Sequence, residues 1–415
     1  MLRQICLLLF LLPGSLVWAQ PTVQMTRVQA DQIFLEKNLY VLAANLNIDQ
    51  QKALEIQARS YPNPQFAASL NAIDPENNKY FHVGEGGEMQ YSLQQLILLG
   101  GKRKAEIDLA KLNSRQAELE LEDLLRQLRK QLHQSLYEVY FDQITLSQYS
   151  RQLAVLDTII VNYGEQARKG NISLKEVVRL KSVYLSLNNE KTELLNRIQE
   201  EEKNLRILLH TDAFVNPDLD GQVVPGRENL PGLDSLLSLA SEHRSDRQLA
   251  DLQTEIARKQ LTLQKSLAVP DLNVGADYDK AGGAFKNQVN LDLGIPLPLW
   301  NRNQGNIKAA KVGIKAADIS LQTKEQEISS EVMQAFSNIL RSIQEYQKSQ
   351  QLYDVGFEDV SSGITENFRK RNISILEFVD FFESYNASLS QLNQVRKNVF
   401  NSAEELNSAV GFPMY

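Results

Sequence analysis

From Val289 the chain alternates strictly: Val289, Leu291, Leu293 and Ile295 are apolar, and Asn290, Asp292 and Gly294 lie between them. A period of two predicts a strand with one oily and one wet face. Pro296 and Pro298 stop the ladder, because proline has no N–H to give it. After Trp300 the spacing changes to helix period, which predicts a helix to about Ser362. At ~1.5 Å per residue, roughly 60 residues make a rod about 90 Å long, far beyond an ordinary globular helix.

The same scheme occurs about 200 residues earlier, a spacing that marks an internal duplication. Leu93, Leu99, Ile107, Ala110 and Lys111 match Leu293, Leu299, Ile307, Ala310 and Lys311 at one offset. With one more residue of offset, Lys169, Asn171, Ile172, Ser173, Glu176 and Tyr184 match Lys370, Asn372, Ile373, Ser374, Glu377 and Tyr385.

The predicted first repeat is 20–210 and the second 233–415, with a Pro/Gly-rich linker, 211–232, between them. Pro21 to Ala30 reads as an extended arm, and Asp31 to Ser60 as a helix ended by Tyr61-Pro62-Asn63-Pro64. A hairpin over 64–97, a long helix over 102–161 and a returning helix over 173–209 complete the first repeat. In the second, the helix 233–267 is followed by a hairpin over 271–295 with Gly282-Gly283 in its loop. The long helix 302–362 and the helix 374–410 end it. The predicted fold class is mainly α with a small β part.

Residues 1–19 read as a secretory signal: Arg3, an apolar run from Leu7 to Leu12, and Val17-Trp18-Ala19 with small residues at the cleavage spacing. The sole cysteine, Cys6, falls inside it and not at a cleavage point, so no lipid anchor is indicated and no disulfide is expected in the mature chain. Beyond it no run is apolar enough for a membrane helix, a test that a β-barrel span escapes. The net charge of −7 argues against nucleic acid as a partner. The four histidines, His82, His133, His210 and His243, are scattered. With no ligand spacing and no nucleophile motif, neither an enzyme nor a metal site or cofactor is expected.

Each repeat offers two short strands, with Gln90, Ser92, Gln94, Asn273, Asp277, Asn290 and Asp292 on the wet faces. Helices would cover the oily faces in a soluble protein, but a rod about 90 Å long offers no nearby core, whereas a lipid bilayer would cover them. Lipid tolerates no open sheet edge, so four strands per chain would need strands from other copies to reach the ~8 of a small barrel. Two, three or four chains would satisfy that count. The second long helix carries two apolar lines, Ile307, Ile314, Leu321 and Ile328, and Val312 and Ile319 continued by Met333 and Leu340. They stand about 140° apart, as on a stave with a neighbour on each side, or as the wide apolar arc of a helix buried in a four-helix core.

Two turns, each followed by S-x-x-E, predict helix–turn–helix tips closed by capping boxes: Ser173 with Glu176, and Ser374 with Glu377. Arg168, Lys169 and Asn171 precede the first; Arg369, Lys370, Arg371 and Asn372 precede the second. These cations suit helix C-termini, or a contact surface for a partner. Where the first repeat has Arg179 the second has Asp380, one turn from Glu377. Repeated around an oligomer, these carboxylates would form rings at a mouth.

Tyr61-Pro62-Asn63-Pro64-Gln65-Phe66, the stretch His243 to Tyr278 with Pro270-Asp271-Leu272, and Ser374-x-x-Glu377-x-x-Asp380 resemble the TolC family of outer-membrane efflux proteins. The resemblance covers essentially the whole mature chain. It implies a homotrimer whose strands form a barrel in outer membrane lipid and whose helices form a tunnel across the periplasm. It further implies a periplasmic adaptor and an inner-membrane pump, of RND or ABC type, as partners. The family's tip aspartates, which hold the periplasmic mouth closed, fall on Glu377 and Asp380; glutamate at the first place is a departure. Length and the short C-terminus look more like the cation-efflux branch. The implied function is an exit duct of a tripartite efflux or type I secretion system. The alternative is a soluble periplasmic coiled-coil adaptor or scaffold.

Overall fold

The computed structural model describes residues 21–84, 86–219, 224–281, 285–353 and 357–414. The predicted signal segment, the glycine pair Gly282-Gly283 and residues 354–356 of the predicted second long helix lie outside the described residues. In chain order come β1 (Thr22–Thr26), α1 (Arg27–Lys37), α2 (Leu39–Ala58), β2 (Gln65–Leu70), β3 (Ile73–Asp74), β4 (Lys79–Tyr80) and β5 (Glu88–Ile97). Then follow α3 (Lys102–Arg168), α4 (Leu174–Leu209), β6 (Phe214–Asp218), α5 (Leu233–His243), α6 (Ser245–Leu267), β7 (Leu272–Ala281) and β8 (Phe285–Gly294). Last come α7 (Gln304–Tyr353), α8 (Phe357–Arg369) and α9 (Ile375–Val410). The fold is mainly helical with a small β part. It divides into two compact units, each drawing on both sequence repeats.

The first unit holds residues up to Asn38, Gln131–Val224 and Lys348–Asn398. Its core is built from the returning ends of two helical hairpins. Leu153, Leu156 and Ile159 of α3 pack with Leu180, Val183 and Leu187 of α4, Phe368 of α8, and Phe378 and Phe382 of α9. A charged cluster is buried nearby: Lys397 Nζ lies 2.6 Å from Glu138 and 3.2 Å from Asp142, and Asp142 also accepts from Arg197 Nε at 3.1 Å.

Three expectations fail here. The arm is extended only to Thr26, because Thr26 and Gln29 form a capping box and start α1 at Arg27. The expected linker contains β6, which pairs in parallel with β1, Thr22 opposite Phe214. The expected single helix Asp31–Ser60 is also broken, at Asn38. That residue is fully buried in extended conformation, and its Nδ2 donates to the Leu208 carbonyl at 2.8 Å.

The second unit holds Leu39–Lys130, Pro225–Gln347 and the chain from Val399. The expected helix 233–267 is broken at Arg244, again extended and buried. Its guanidinium grips Asp246 through two bonds of 2.7 Å, Glu331 at 2.8 Å and the Ala409 carbonyl at 2.9 Å. Thus both repeats break their first helix with a polar residue that satisfies a carbonyl near the end of the last one. Burial alone would pull the Arg244 pKa down; Asp246 and Glu331 hold it above its usual value.

In the same unit the two hairpins merge into one antiparallel sheet of order β2-β5-β7-β8. The hairpin 64–97 is more than a plain loop, since β3 and β4 pair within it. Gly100 and Gly101, both at positive φ, turn β5 into α3. A Cβ at Gly100 would lie 2.6 Å from that of Val269, so only glycine lets the backbones approach. In the second repeat Asn303, φ 57, precedes α7 and donates to the Gln264 carbonyl at 2.7 Å.

Candidate functional site

Alternation along each strand and register between strands put side chains into rows across the sheet. One face carries Ser69, Gln90, Asp279 and Gln288; then Ala67, Ser92, Asp277 and Asn290; then Gln65, Gln94, Gly275 and Asp292. Asn273 shares that face, between Leu96 and Gly294. All seven predicted wet-face residues are therefore brought onto one surface. They bond along it: Asn290 Nδ2 donates to Asp277 at 2.9 Å and Asn273 Nδ2 to Gln94 Oε1 at 3.3 Å.

The opposite face carries Ala68, Tyr91, Tyr278 and Val289, then Phe66, Leu93, Ala276 and Leu291. Phe66, Tyr91 and Tyr278 form a stacked run, with centroids 6.2 and 6.4 Å apart. Among the described residues no helix covers the β8 part of this face: Leu291 is 83% exposed and Leu293 75%. A sheet that shows water its oily side is inverted relative to a soluble protein. The edge strands are β2 and β8.

At the helical ends of these strands the structure reveals clamps the sequence did not disclose. Asp271 accepts from the Leu99 N–H at 2.9 Å and from Lys102 Nζ at 2.6 Å, with Lys102 buried. Arg103 lies over the Tyr61 ring at 4.1 Å. In the loop after β2, Asp74 accepts from Asn77 and lies 2.6 Å from His82 Nδ1. The His82 bond above all holds the Asp74 carboxyl well below the usual carboxylate range.

On α7, Ile307, Ile314 and Leu321 are half-buried and Ile328 buried, whereas Val312, Ile319 and Met333 of the other line are exposed. One apolar line thus faces its own unit, and the other is uncovered from Val312 to Met333 and half-buried at Leu340.

The tips belong to the first unit. Arg168 ends α3; Gly170 turns at φ +76, and the Asn171 N–H and Nδ2 donate to Gln166 at 2.9 and 2.8 Å. The second tip repeats this after Arg369 and Lys370: Asn372 donates to Asn367 through its N–H at 2.9 Å and its Nδ2 at 3.1 Å. The residue in the left-handed conformation there is Arg371, at φ 63. The capping box is complete only at this tip. The Glu377 N–H donates to Ser374 Oγ at 3.2 Å, and Glu377 Oε2 accepts from the Ser374 N–H at 2.8 Å. That return bond lowers the Glu377 pKa. At the first tip Ser173 accepts from Lys175 instead, and among the described residues Glu176 makes no return bond.

Asp380 is exposed and makes no hydrogen bond or ion pair among the described residues. Between the two carboxylates Phe378 points inward and stacks on Phe368 at 4.1 Å, which stacks on Tyr163 at 5.1 Å. Burial raises the Tyr163 pKa; Glu176 adds to the rise and Arg371 opposes it. Sequence reasoning missed this aromatic stack; Phe378, lodged between two acids, was its visible trace.

A left-handed arginine costs about 1–2 kcal/mol that glycine avoids. Arg371→Gly should therefore slow amide exchange in the last turn of α8 and the first of α9, corresponding to about 1 kcal/mol of local stabilisation. Unchanged protection would mean that the arginine side chain offsets its own backbone cost.

Among the described residues no cluster of three potential metal ligands occurs, and no helix is long and apolar enough to cross a membrane. Residues 236–411 match the family model described as outer membrane efflux protein. The chain is 24% identical over 278 residues to the cobalt-zinc-cadmium resistance protein CzcC of Cupriavidus metallidurans. That similarity covers 66% of this chain and spans 63% of the relative's length. Solved structures share the fold. That of CusC superposes with a TM-score of 0.73 at 16% identity, covering 93% of this chain and 92% of the other. The outer membrane protein VceC from Vibrio cholerae gives 0.73 at 16% identity, covering 94% and 97%. With its duplicated hairpins and long helices the chain has a TolC-like fold, and its residues 236–411 are similar to the outer membrane efflux protein family.

Proposed function

We propose that the protein is an outer-membrane exit duct of a tripartite efflux or type I secretion system. The observation that carries this is the two-faced sheet: an uncovered apolar face, acids and amides on the other, and an edge strand at either side. Lipid covers the first face, solvent fills the space behind the second, and β8 of one copy pairs with β2 of the next. Three copies would supply twelve strands, the homotrimer implied by the family. The exposed line of Val312, Ile319 and Met333 gives the helices a matching seam between copies.

The resemblance to CzcC favours metal cations as cargo, and the acids of the inward face suit cations in transit. The exposed tip groups Arg168, Lys169, Arg369, Lys370 and Arg371 are the proposed contacts for a periplasmic adaptor, and an inner-membrane pump would feed the mouth. A soluble adaptor or scaffold would leave the sheet's oily face in water, which disfavours that reading. Membrane fractionation tests the choice: release by salt alone would remove the duct.

For the gate, the free carboxylate of Asp380 is the stronger candidate, since Glu377 is engaged in its cap. Asp380→Ala is expected to raise single-channel conductance in planar bilayers, and Asp380→Ala with Glu377→Ala to raise it further. Glu377→Gln, which keeps an oxygen for Ser374, separates loss of charge from loss of the cap. Unchanged conductance in the double variant would take these carboxylates out of the gate.

A further inference from the structure

Beyond the tyrosine row, the outward face carries one more row: Leu70, Met89, Lys280 and Lys286. The two lysines lie directly opposite each other on neighbouring strands, where like charges repel. Every acid of the sheet's paired strands, Glu88, Asp277, Asp279 and Asp292, alternates onto the other face. Neither lysine has an ion pair among the described residues. An apolar face thus ends in two facing, unneutralised cations.

The pairing depends on a bulge. Up to Asp279 the β7 and β8 partners keep step, with Asp279 opposite Gln288; then the register shifts and Lys280 meets Lys286. Asn287 is the extra residue, at φ 106, a conformation few non-glycine residues adopt. In unbroken register Asn287 would oppose Lys280, and Lys286 would turn to the inward face. Tyr278 fixes the bulge, its hydroxyl donating to Asn287 Oδ1 at 2.5 Å. The strand therefore adopts an unfavourable backbone that places a second cation beside the first.

The row lies at the hairpin's turn end, away from the ends that join α6 and α7. From Leu272 to Lys280 is about 26 Å along the strand, comparable with the ~25 Å apolar band of an outer-membrane barrel. Tyrosines belong at such a boundary, and lysines just outside it among headgroups. Two facing cations match a dianion, and a phosphomonoester carries about −1.5 to −2 near neutral pH.

We propose that Lys280 and Lys286 bind the phosphomonoester headgroup of a membrane lipid in the leaflet at the hairpin turns, with its upper acyl chain on Tyr91 and Tyr278. The site rests on the barrel reading above. The test reconstitutes the full chain in phosphatidylcholine vesicles doped with phosphatidic acid, a phosphomonoester, or phosphatidylglycerol, a phosphodiester. Lipid retained after extraction is counted by native mass spectrometry, and conductance is recorded for each variant. The wild type is expected to retain phosphatidic acid preferentially. K280Q/K286Q should retain about twenty-fivefold less phosphatidic acid, at about fivefold per lysine, while still conducting. Deletion of Asn287 should lose part of it by turning Lys286 inward. Equal retention by wild type and K280Q/K286Q, equal retention of the two lipids, or displacement by equimolar inorganic phosphate would each overturn the lipid site while leaving a conducting duct in place. A wild-type chain that salt strips from the vesicles would overturn the barrel reading and this site together.

Discussion

Leu291→Arg is expected to abolish stable membrane insertion. Leu291 sits mid-strand on β8, 83% exposed, in the row with Phe66, Leu93 and Ala276. If that face meets hydrocarbon, an arginine there costs about 2–4 kcal/mol per copy, and the cost recurs in every subunit around the barrel. Gln288→Arg is the control. It places the same charge on the same strand but on the inward face, where water solvates it. The variants should separate in membrane fractions and in planar-bilayer insertion, Leu291→Arg failing and Gln288→Arg conducting. If Leu291→Arg inserts as readily as the wild type, lipid does not touch that face. In a soluble scaffold the two variants would not separate, because an arginine on either water-exposed face would do no harm.

Arg244→Ala should destabilise the second unit by about 3–5 kcal/mol, the range for leaving buried partners unpaired. The guanidinium is 1% exposed and ties the helix break to Asp246, Glu331 and the Ala409 carbonyl. Removal strands the half-buried Asp246 carboxylate and one carbonyl at once. Arg244→Lys keeps the charge but not the planar fork, so it should recover only part of the loss. A triple change, Arg244→Met with Asp246→Asn and Glu331→Gln, should lose less than Arg244→Ala, because the stranded charges go too. Thermal unfolding followed by circular dichroism measures all three. If Arg244→Ala matches the wild type, water replaces the guanidinium and the node is not structural.

Strand alternation, the long helices and the two tips were legible because each is a local pattern. Leu291 and Asp292 have opposite environments for no reason beyond being neighbours on a strand. The S-x-x-E motif announced the cap that Ser374 and Glu377 complete, yet the same motif at Ser173 and Glu176 gave only half a box. The difference arises where the side chain chooses between a backbone N–H and other surroundings, and a four-residue pattern does not record that choice. The breaks at Asn38 and Arg244 were hidden for a related reason. Neither residue forbids a helix, and neither position is marked by proline or glycine. What stops the helix is a buried carbonyl, of Leu208 in one case and Ala409 in the other, far along the chain.

The sequence by itself determined the duplication, the period of each segment and which residues share a strand or helix face, because these depend only on residue spacing. Tertiary structure alone decided that two hairpins join as β2-β5-β7-β8 and that β1 finds β6. It also decided that a bulge at Asn287 turns Lys286 to the outer face. Those outcomes depend on pairings between segments up to about 190 residues apart in the chain. Their register is set by contacts that no local window contains.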